Sequence, residues 1–339
     1  MVRRLLALWL TLLLTGCAAQ STPPELSFAP EEGERLVLYT SHKEEVYWPI
    51  VKEFEERTGI WVEVVTGGTN ELLEKIQSQA DTPLADVMFG GGVESLTSYA
   101  DCFTPYRCAG AEAIAPAFQA PGDLWTPFSA LPVVLIYNTK LVGAGALTCW
   151  DDLLSPRYHG RIAFADPAVS GSSFTALVTA LHAVEGTDEE VLRRFAESLG
   201  GRQLQGSGDV VASVAGGTDL VGITLEETAL KGVAAGYDIA LVYPSDGTSC
   251  VPDASALIRG APHGDNAKLF LDFTVSAETQ RLLTGAFCRR SVREDVPAAE
   301  TMPPLDQLPA AEYDVAWASE HRDGVLMTWA FYLGGEEAA

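Results

Sequence analysis

The sequence predicts an α/β protein of two lobes, each a mostly parallel sheet flanked by helices, with two crossover strands serving as a hinge. Three observations carry this expectation: short β-branched runs recur along the chain, helical periodicity fills most of the gaps between them, and two long extended segments interrupt the rhythm. Strands that alternate with helices favour parallel sheets covered on both faces, because each crossover lays a helix on the sheet.

In chain order, MVRRLLALWLTLLLTGCAAQ places Arg3 and Arg4 before an apolar run from Leu5 to Leu14. That run is short for a membrane span and has the layout of a secretory signal. Leu14-Thr15-Gly16-Cys17 resembles the lipobox of bacterial lipoproteins, which implies a signal peptide over 1–17 and lipidation of Cys17. Residues 18–34 lack an apolar period and read as a flexible tether. The first strand is LVLYT (36–40), followed by the junction Thr40-Ser41-His42 and a helix marked by Val46, Ile50, Val51 and Phe54. WVEVV (61–65), a second helix through Leu72, Leu73 and Ile76, and DVMFG (86–90) continue the pattern. It breaks near 100–130, where ALPVVLIYN (130–138) reads as the first crossover. RIAFAD (161–166), a helix through Leu177, Val178, Leu181 and Val184, LVGIT (220–224) and DIALVYP (238–244) form the second series, and VPDASALI (251–258) is the return crossover. One lobe is therefore expected from 35–130 plus 252–339, the other from 138–250. The C-terminal helices around Trp317 and Trp329 are expected to pack back on the first lobe.

The formal net charge of −24 argues against nucleic acid or an anionic membrane surface as partner, since both demand a basic face. After Cys17 five cysteines remain, an odd number, and Cys102–Cys108 and Cys250–Cys288 are the expected disulfides in an exported protein. No cysteine spacing is a zinc pattern, and His42, His159, His182, His263 and His321 show no metal-ligand spacing. No cofactor is expected. A secreted hydrolase would need Ser172 or Ser173 as nucleophile, His42 as base and Asp209 as orienting acid, but GSSFT lacks the second glycine of a nucleophile elbow.

The junctions after strands carry the functional reading, because ligands of open α/β sheets collect where helices begin. Five junctions share one chemistry: Thr40-Ser41-His42, Gly67-Gly68-Thr69-Asn70, Gly90-Gly91-Gly92, Ser170-Gly171-Ser172-Ser173 and Gly206-Ser207-Gly208-Asp209. Hydroxyls and free N–H groups at helix starts suit an anion, although the same residues also serve as plain caps. Ser41 is expected to cap the first helix.

In order and spacing, LVLYTSHKEE, FEERTGIWVEVVTGGTNELLEKI, ADVMFGGG, LIYNTKLV, FADPAVSGSSFTALV, GSGDVVASVAGG, VGITLEE, VYPSDGTSCVPDASALI and NAKLFLDFTVSAETQRLL resemble the extracellular solute-binding proteins of ABC importers. The likeness is to the branch containing ferric-ion binders and binders of phosphonates and sugar phosphates. It implies a periplasmic-binding-protein fold of type II kind, a lipid-anchored, exported monomer, and a small anionic ligand trapped between lobes. The loaded form would be delivered to a permease and its ATPase or, in a sensing role, presented to a membrane histidine kinase.

The resemblance also shows where this chain departs from ferric binders. Those hold the metal with a His after the first strand, a Glu after a later strand and an adjacent Tyr pair. Here the positions fall on His42, on Gly90-Gly91-Gly92 and on Glu226-Glu227. Losing both phenolates removes the strongest ferric ligands; His42, Glu226 and Glu227 remain as the alternative metal set. The three glycines suggest room for something larger than an ion. The expected ligand-binding residues are therefore Ser41, His42, Thr69, Asn70, Gly91, Gly92, Ser170, Gly171, Ser172, Ser173, Ser207, Asp209, Glu226 and Glu227. The ligand expected is a phosphorylated or phosphonate solute. Lys43 is expected to point away along its helix, and Arg289 to be surface charge, leaving Arg293 as the pocket candidate of its basic cluster.

Overall fold

Strand β1 (Arg35–Thr40) buries Leu36 and Leu38 completely and lies between β2 (Trp61–Thr66) and β3 (Val87–Gly92), both parallel to it. This computed structural model describes residues 30–334. The signal segment, Cys17 and all of the tether before residue 30 lie outside the described residues. Helix α1 (Glu44–Thr58) joins β1 to β2, and Val46, Ile50, Val51 and Phe54 recur on its buried face at helical spacing. Gly59 ends it at φ 75°, its N–H returning to the Glu55 carbonyl in a left-handed turn that glycine adopts without strain. Helix α2 (Thr69–Ser78) leads from β2 towards β3, and α3 (Val93–Ser98) follows β3.

Strand β4 (Thr126–Asn138) is the first crossover, and all but one of its residues are buried. Helix α4 (Trp150–Leu153), β5 (Ile162–Ala163), α5 (Gly171–Ala183), α6 (Asp188–Ser198), α7 (Val210–Ala215), β6 (Val221–Leu225), α8 (Glu226–Ala234) and β7 (Ile239–Val242) build the second half. The chain returns through β8 (Cys250–Leu257) to α9 (Gly264–Thr274), α10 (Ala277–Ala286) and finally α11 (Val315–Gly334).

The strand order is β2-β1-β3-β8-β4-β6-β5, with β7 also paired to β4. The two expected sheets are joined into one curled path because β4 is long enough to serve both: residues 126–132 pair with β8, and residues 133–138 pair with β6 and β7. Pairing is parallel for β1/β2, β1/β3 and β5/β6, and antiparallel wherever β4 or β8 takes part. A strand that carries the chain out and another that carries it back must run in opposite directions, so the crossovers make the sheet mixed.

Each half has its own core. Phe54, Phe89 and Phe270 centre the first, and Trp150, Phe164 and Phe195 the second. Each such side chain contributes on the order of 1.5–3 kcal/mol by leaving water. Helix α11, expected on the first lobe, spans both halves. Its Trp329 packs edge-on against Phe164 and Phe195 at 5.6 and 5.2 Å, while Ser319 meets Ser98 of α3 at 3.0 Å.

Neither expected disulfide is formed, and all five described cysteines are thiols. Cys102 packs with Leu96 and Phe103, whereas Cys108 packs in a separate cluster with Ile114 and Val275. Burial pushes the Cys108 thiol up to about 11 and the Cys250 thiol up to about 12, so both stay protonated.

Candidate functional site

A cavity of about 320 Å³ opens between the two halves, at the small end of the range of about 300–1,000 Å³ usual for small-molecule sites. Ser41, His42, Thr69, Gly91, Gly92, Ser170, Gly171, Ser172, Ser207 and Glu227 all line it. Asn70, Ser173, Asp209 and Glu226 do not.

The wall begins at the end of β1. The Thr40 hydroxyl donates to the Phe89 carbonyl at 2.7 Å and accepts the His42 N–H at 3.2 Å, which turns the chain inward. The His42 ring then packs on Phe89 and Phe128, with centroids 4.5 and 5.1 Å apart. Lys43, not Ser41, occupies the cap position of α1, and it caps with no side-chain hydrogen bond. Ser41 is thereby left to face the cavity instead of the helix. Lys43 lines the cavity as well, beside Gly208, contrary to the expectation that it points away.

The glycines of β3 do not simply enlarge the cleft. A Cβ on Gly90, whose φ is +91°, would lie 2.7 Å from the His42 ring, and one on Gly92 would lie 2.6 Å from the Glu94 carboxylate. Side chains fill the space that these glycines leave. Glu94 is fully buried and accepts the Thr175 hydroxyl at 2.5 Å; burial pushes its pKa up, against the hydrogen bond from Thr175.

The second half supplies the start of α5. Ser170 is its cap, its Oγ accepting the Ser173 N–H at 3.3 Å and lying 3.1 Å from the Ser172 Oγ. No acidic residue occupies the first turn, so no carboxylate of the helix itself offsets the partial positive charge of this end. Ser173 is buried and contributes its backbone N–H to that cap. Asn70 is spent bridging to the Ala168 carbonyl, and Asp209 is exposed away from the cavity.

The floor carries a charged network that the sequence reading missed. Asp253, a lone carboxylate within the apolar run of β8, accepts the Ser129 N–H and hydroxyl at 2.8 and 2.7 Å through one oxygen. Its other oxygen faces His42 Nε2 and Arg289 Nη1, each at 2.7 Å. Burial raises the Asp253 pKa, but Arg289, His42 and Ser129 outweigh it and hold the carboxyl well below its ordinary value. His42 is shifted below its ordinary value by burial, which Asp253 only partly offsets, so it is neutral at pH 7 and donates from Nε2.

Arg289 is buried in the cavity wall, not at the surface. Its Nη2 lies 3.4 Å from Glu227 Oε1, and Lys231 Nζ lies 3.0 Å from Glu227 Oε2. Burial raises the Glu227 pKa, yet Arg289 and Lys231 leave it below its ordinary value. Arg293 instead pairs with the exposed Asp295 and does not line the cavity. Glu226 turns away into a two-pronged bond with Arg290, at 2.7 and 2.8 Å, and also accepts the Tyr243 hydroxyl. The lone basic cluster at 289–293 and the single Asp inside a crossover strand were the only signals of this floor.

Two alternative chemistries find no geometry here. Among the described residues no group of three His, Cys, Asp or Glu side chains could hold a metal ion, and Glu226 is not in the cavity with His42 and Glu227. A serine hydrolase finds no nucleophile–base pair among the described residues, because His42 Nδ1 has no hydrogen-bond partner and Nε2 meets Asp253, and the expected orienting acid Asp209 does not line the cavity.

An uncharacterised protein of Haemophilus influenzae is 26% identical over 313 residues, covering 87% of this chain and 89% of that one. Iron uptake protein A1 of Synechocystis sp. is 25% identical over 288 residues, covering 80% and 79%. The periplasmic binding protein AfuA from Actinobacillus pleuropneumoniae, solved with exogenous fructose-6-phosphate bound, superposes with a TM-score of 0.81 at 23% identity over 88% of this chain and 98% of that one. The family model for bacterial extracellular solute-binding proteins matches residues 83–315, and the chain belongs to that family, the binding components of ABC importers rather than enzymes.

Proposed function

We propose that the protein captures a small solute bearing a phosphate or phosphonate group and delivers it to an ABC permease. The lobe of residues 138–250 closes on the lobe formed by 35–130 and 252–339. One observation carries the ligand class: the start of α5, free of acidic residues in its first turn, shares a single cavity with the hydroxyls of Ser41, Thr69, Ser170, Ser172 and Ser207. Helix N–H groups and hydroxyls are donors to phosphoryl oxygens, and the two buried carboxylates are already matched by Arg289 and Lys231. The fructose-6-phosphate in AfuA is in keeping with this reading. The iron-uptake relative would favour a ferric ligand, but the tyrosine pair is replaced and Glu226 is spent on Arg290.

A thermal-shift screen tests it, because a ligand at a hundred times its dissociation constant adds about 2.7 kcal/mol to the folded state. Fructose 6-phosphate or 2-aminoethylphosphonate is expected to stabilise chelator-treated protein, and Ser172→Ala to weaken that binding by about 1.5–3 kcal/mol. Stabilisation by ferric citrate alone, with no response to any phosphorylated compound, would overturn the ligand class while leaving the binding-protein role in place.

A further inference from the structure

Two adjacent arginines meet two adjacent glutamates beside the cavity, and the two pairs are made differently. Arg290 is engaged along its side edge: Nε and Nη2 donate in parallel to Glu226 at 2.7 and 2.8 Å. Arg289 uses the opposite end. Its Nη1 donates to Asp253 Oδ2 at 2.7 Å and to Ser129 Oγ at 2.8 Å. Along its side edge, Nη2 has only Glu227 at 3.4 Å, and the buried Nε has no hydrogen-bond partner.

That edge is incomplete in a place where incompleteness is costly. Arg289 is 5% exposed, and an unpartnered donor on a buried guanidinium costs more than one in bulk water. It cannot turn away to find others, because Asp253 is itself fixed by His42 and Ser129, and the guanidinium lies over the Phe128 ring at 5.9 Å. Glu227, by contrast, has a nearer cation in Lys231 at 3.0 Å. A guanidinium edge presenting Nε–H and Nη2–H side by side matches two oxygens of one phosphate or phosphonate, which a lysine ammonium does not.

We propose that Arg289 grips the oxyanion of the solute through its Nε and Nη2 protons, with Glu227 moving onto Lys231 to admit it. This rests on the phosphorylated-solute reading above and names the residue that enforces it. Asp253, Ser129 and His42 act as positioning residues that hold the guanidinium plane ready.

The test uses the full chain with fructose 6-phosphate, 2-aminoethylphosphonate and inorganic phosphate as probes in calorimetric titration, comparing wild type, Arg289→Lys and Ser172→Ala. Whichever probe binds the wild type is expected to bind Arg289→Lys at least tenfold more weakly, since the charge is kept and the fork is lost. In proton–nitrogen spectra of the wild type, the Arg289 Nε–H resonance is expected to move downfield at saturation, a readout that does not depend on the variant folding. Affinity of Arg289→Lys within twofold of wild type, or an unmoved Nε–H signal, overturns the proposal. If Ser172→Ala still weakens binding in that case, the phosphorylated-solute reading survives alone; if no probe binds the wild type, both fall.

Discussion

At Asp253 a single carboxylate organises the floor of the cleft, and its neighbours set how the protein responds to acid. His42 has a pKa below its ordinary 6.5 in the folded state because burial disfavours the imidazolium. The unfolded chain therefore takes up that proton first. The contribution of His42 to stability is complete above about pH 6.5 and is lost as pH falls through the depressed folded value. Asp253 and Glu227, also depressed, lose theirs only at lower pH, below the ordinary carboxylate range. Glu94 works in the opposite sense: its raised pKa makes its contribution complete below about pH 4.5 and lost as pH rises. Comparing wild type with His42→Gln isolates the histidine, since glutamine can keep a donor near Nε2 without titrating. The wild-type melting temperature is expected to fall more steeply than that of the variant between pH 7 and pH 5. Parallel profiles in a calorimetric pH series would contradict this account of His42.

Among the elements, α5 and α6 permit a controlled comparison. Ser170 caps α5, and Thr187 caps α6 with a reciprocal bond from its own N–H to Glu190 at 2.9 Å. Ser170→Ala and Thr187→Ala should each cost about 1 kcal/mol in stability, the usual loss of a hydroxyl cap. Only Ser170 lines the cavity, so only its replacement is expected to weaken phospho-ligand binding in titration calorimetry. Equal affinity in both variants would mean that the start of α5 serves as a cap and nothing more. The comparison matters because hydroxyl-rich helix starts read alike in sequence whether or not a ligand visits them. Ser41 illustrates the point, since it lies two residues before the cap and faces the cavity.

For the whole molecule, the central fact is that several contacts tie the halves across the cavity: Glu94 to Thr175, Asn70 to Ala168, Glu227 to Arg289, and Lys231 to Glu45 at 3.5 Å. Any wider opening of the halves requires some of these to part. The buried Arg290–Glu226 pair lies beside the crossovers, and breaking it would cost about 3–5 kcal/mol, so movement is expected to pivot there and open the opposite rim. Small-angle scattering should accordingly show a smaller radius of gyration when a stabilising phospho-compound is saturating than when the protein is free. Identical radii in the two states would argue against hinge closure.

Local periodicity alone determined the α/β class, the two crossovers and the buried faces of α1, α2 and α5, because strand and helix repeats are written in neighbouring residues and need no partner to be read. The same holds for the hydroxyl-rich junctions, several of which converge on one cavity. What only the tertiary structure decided was the fate of the charges. Arg289 and Arg293, four positions apart, are indistinguishable in sequence, yet one is buried against Asp253 and the other pairs at the surface with Asp295. Glu226 and Glu227 are adjacent, and one bonds Arg290 while the other faces the cavity. Ion pairs between residues 36 to 211 positions apart depend on how β4 and β8 bring distant segments together, and burial then amplifies the strength of each contact and the cost of leaving it incomplete.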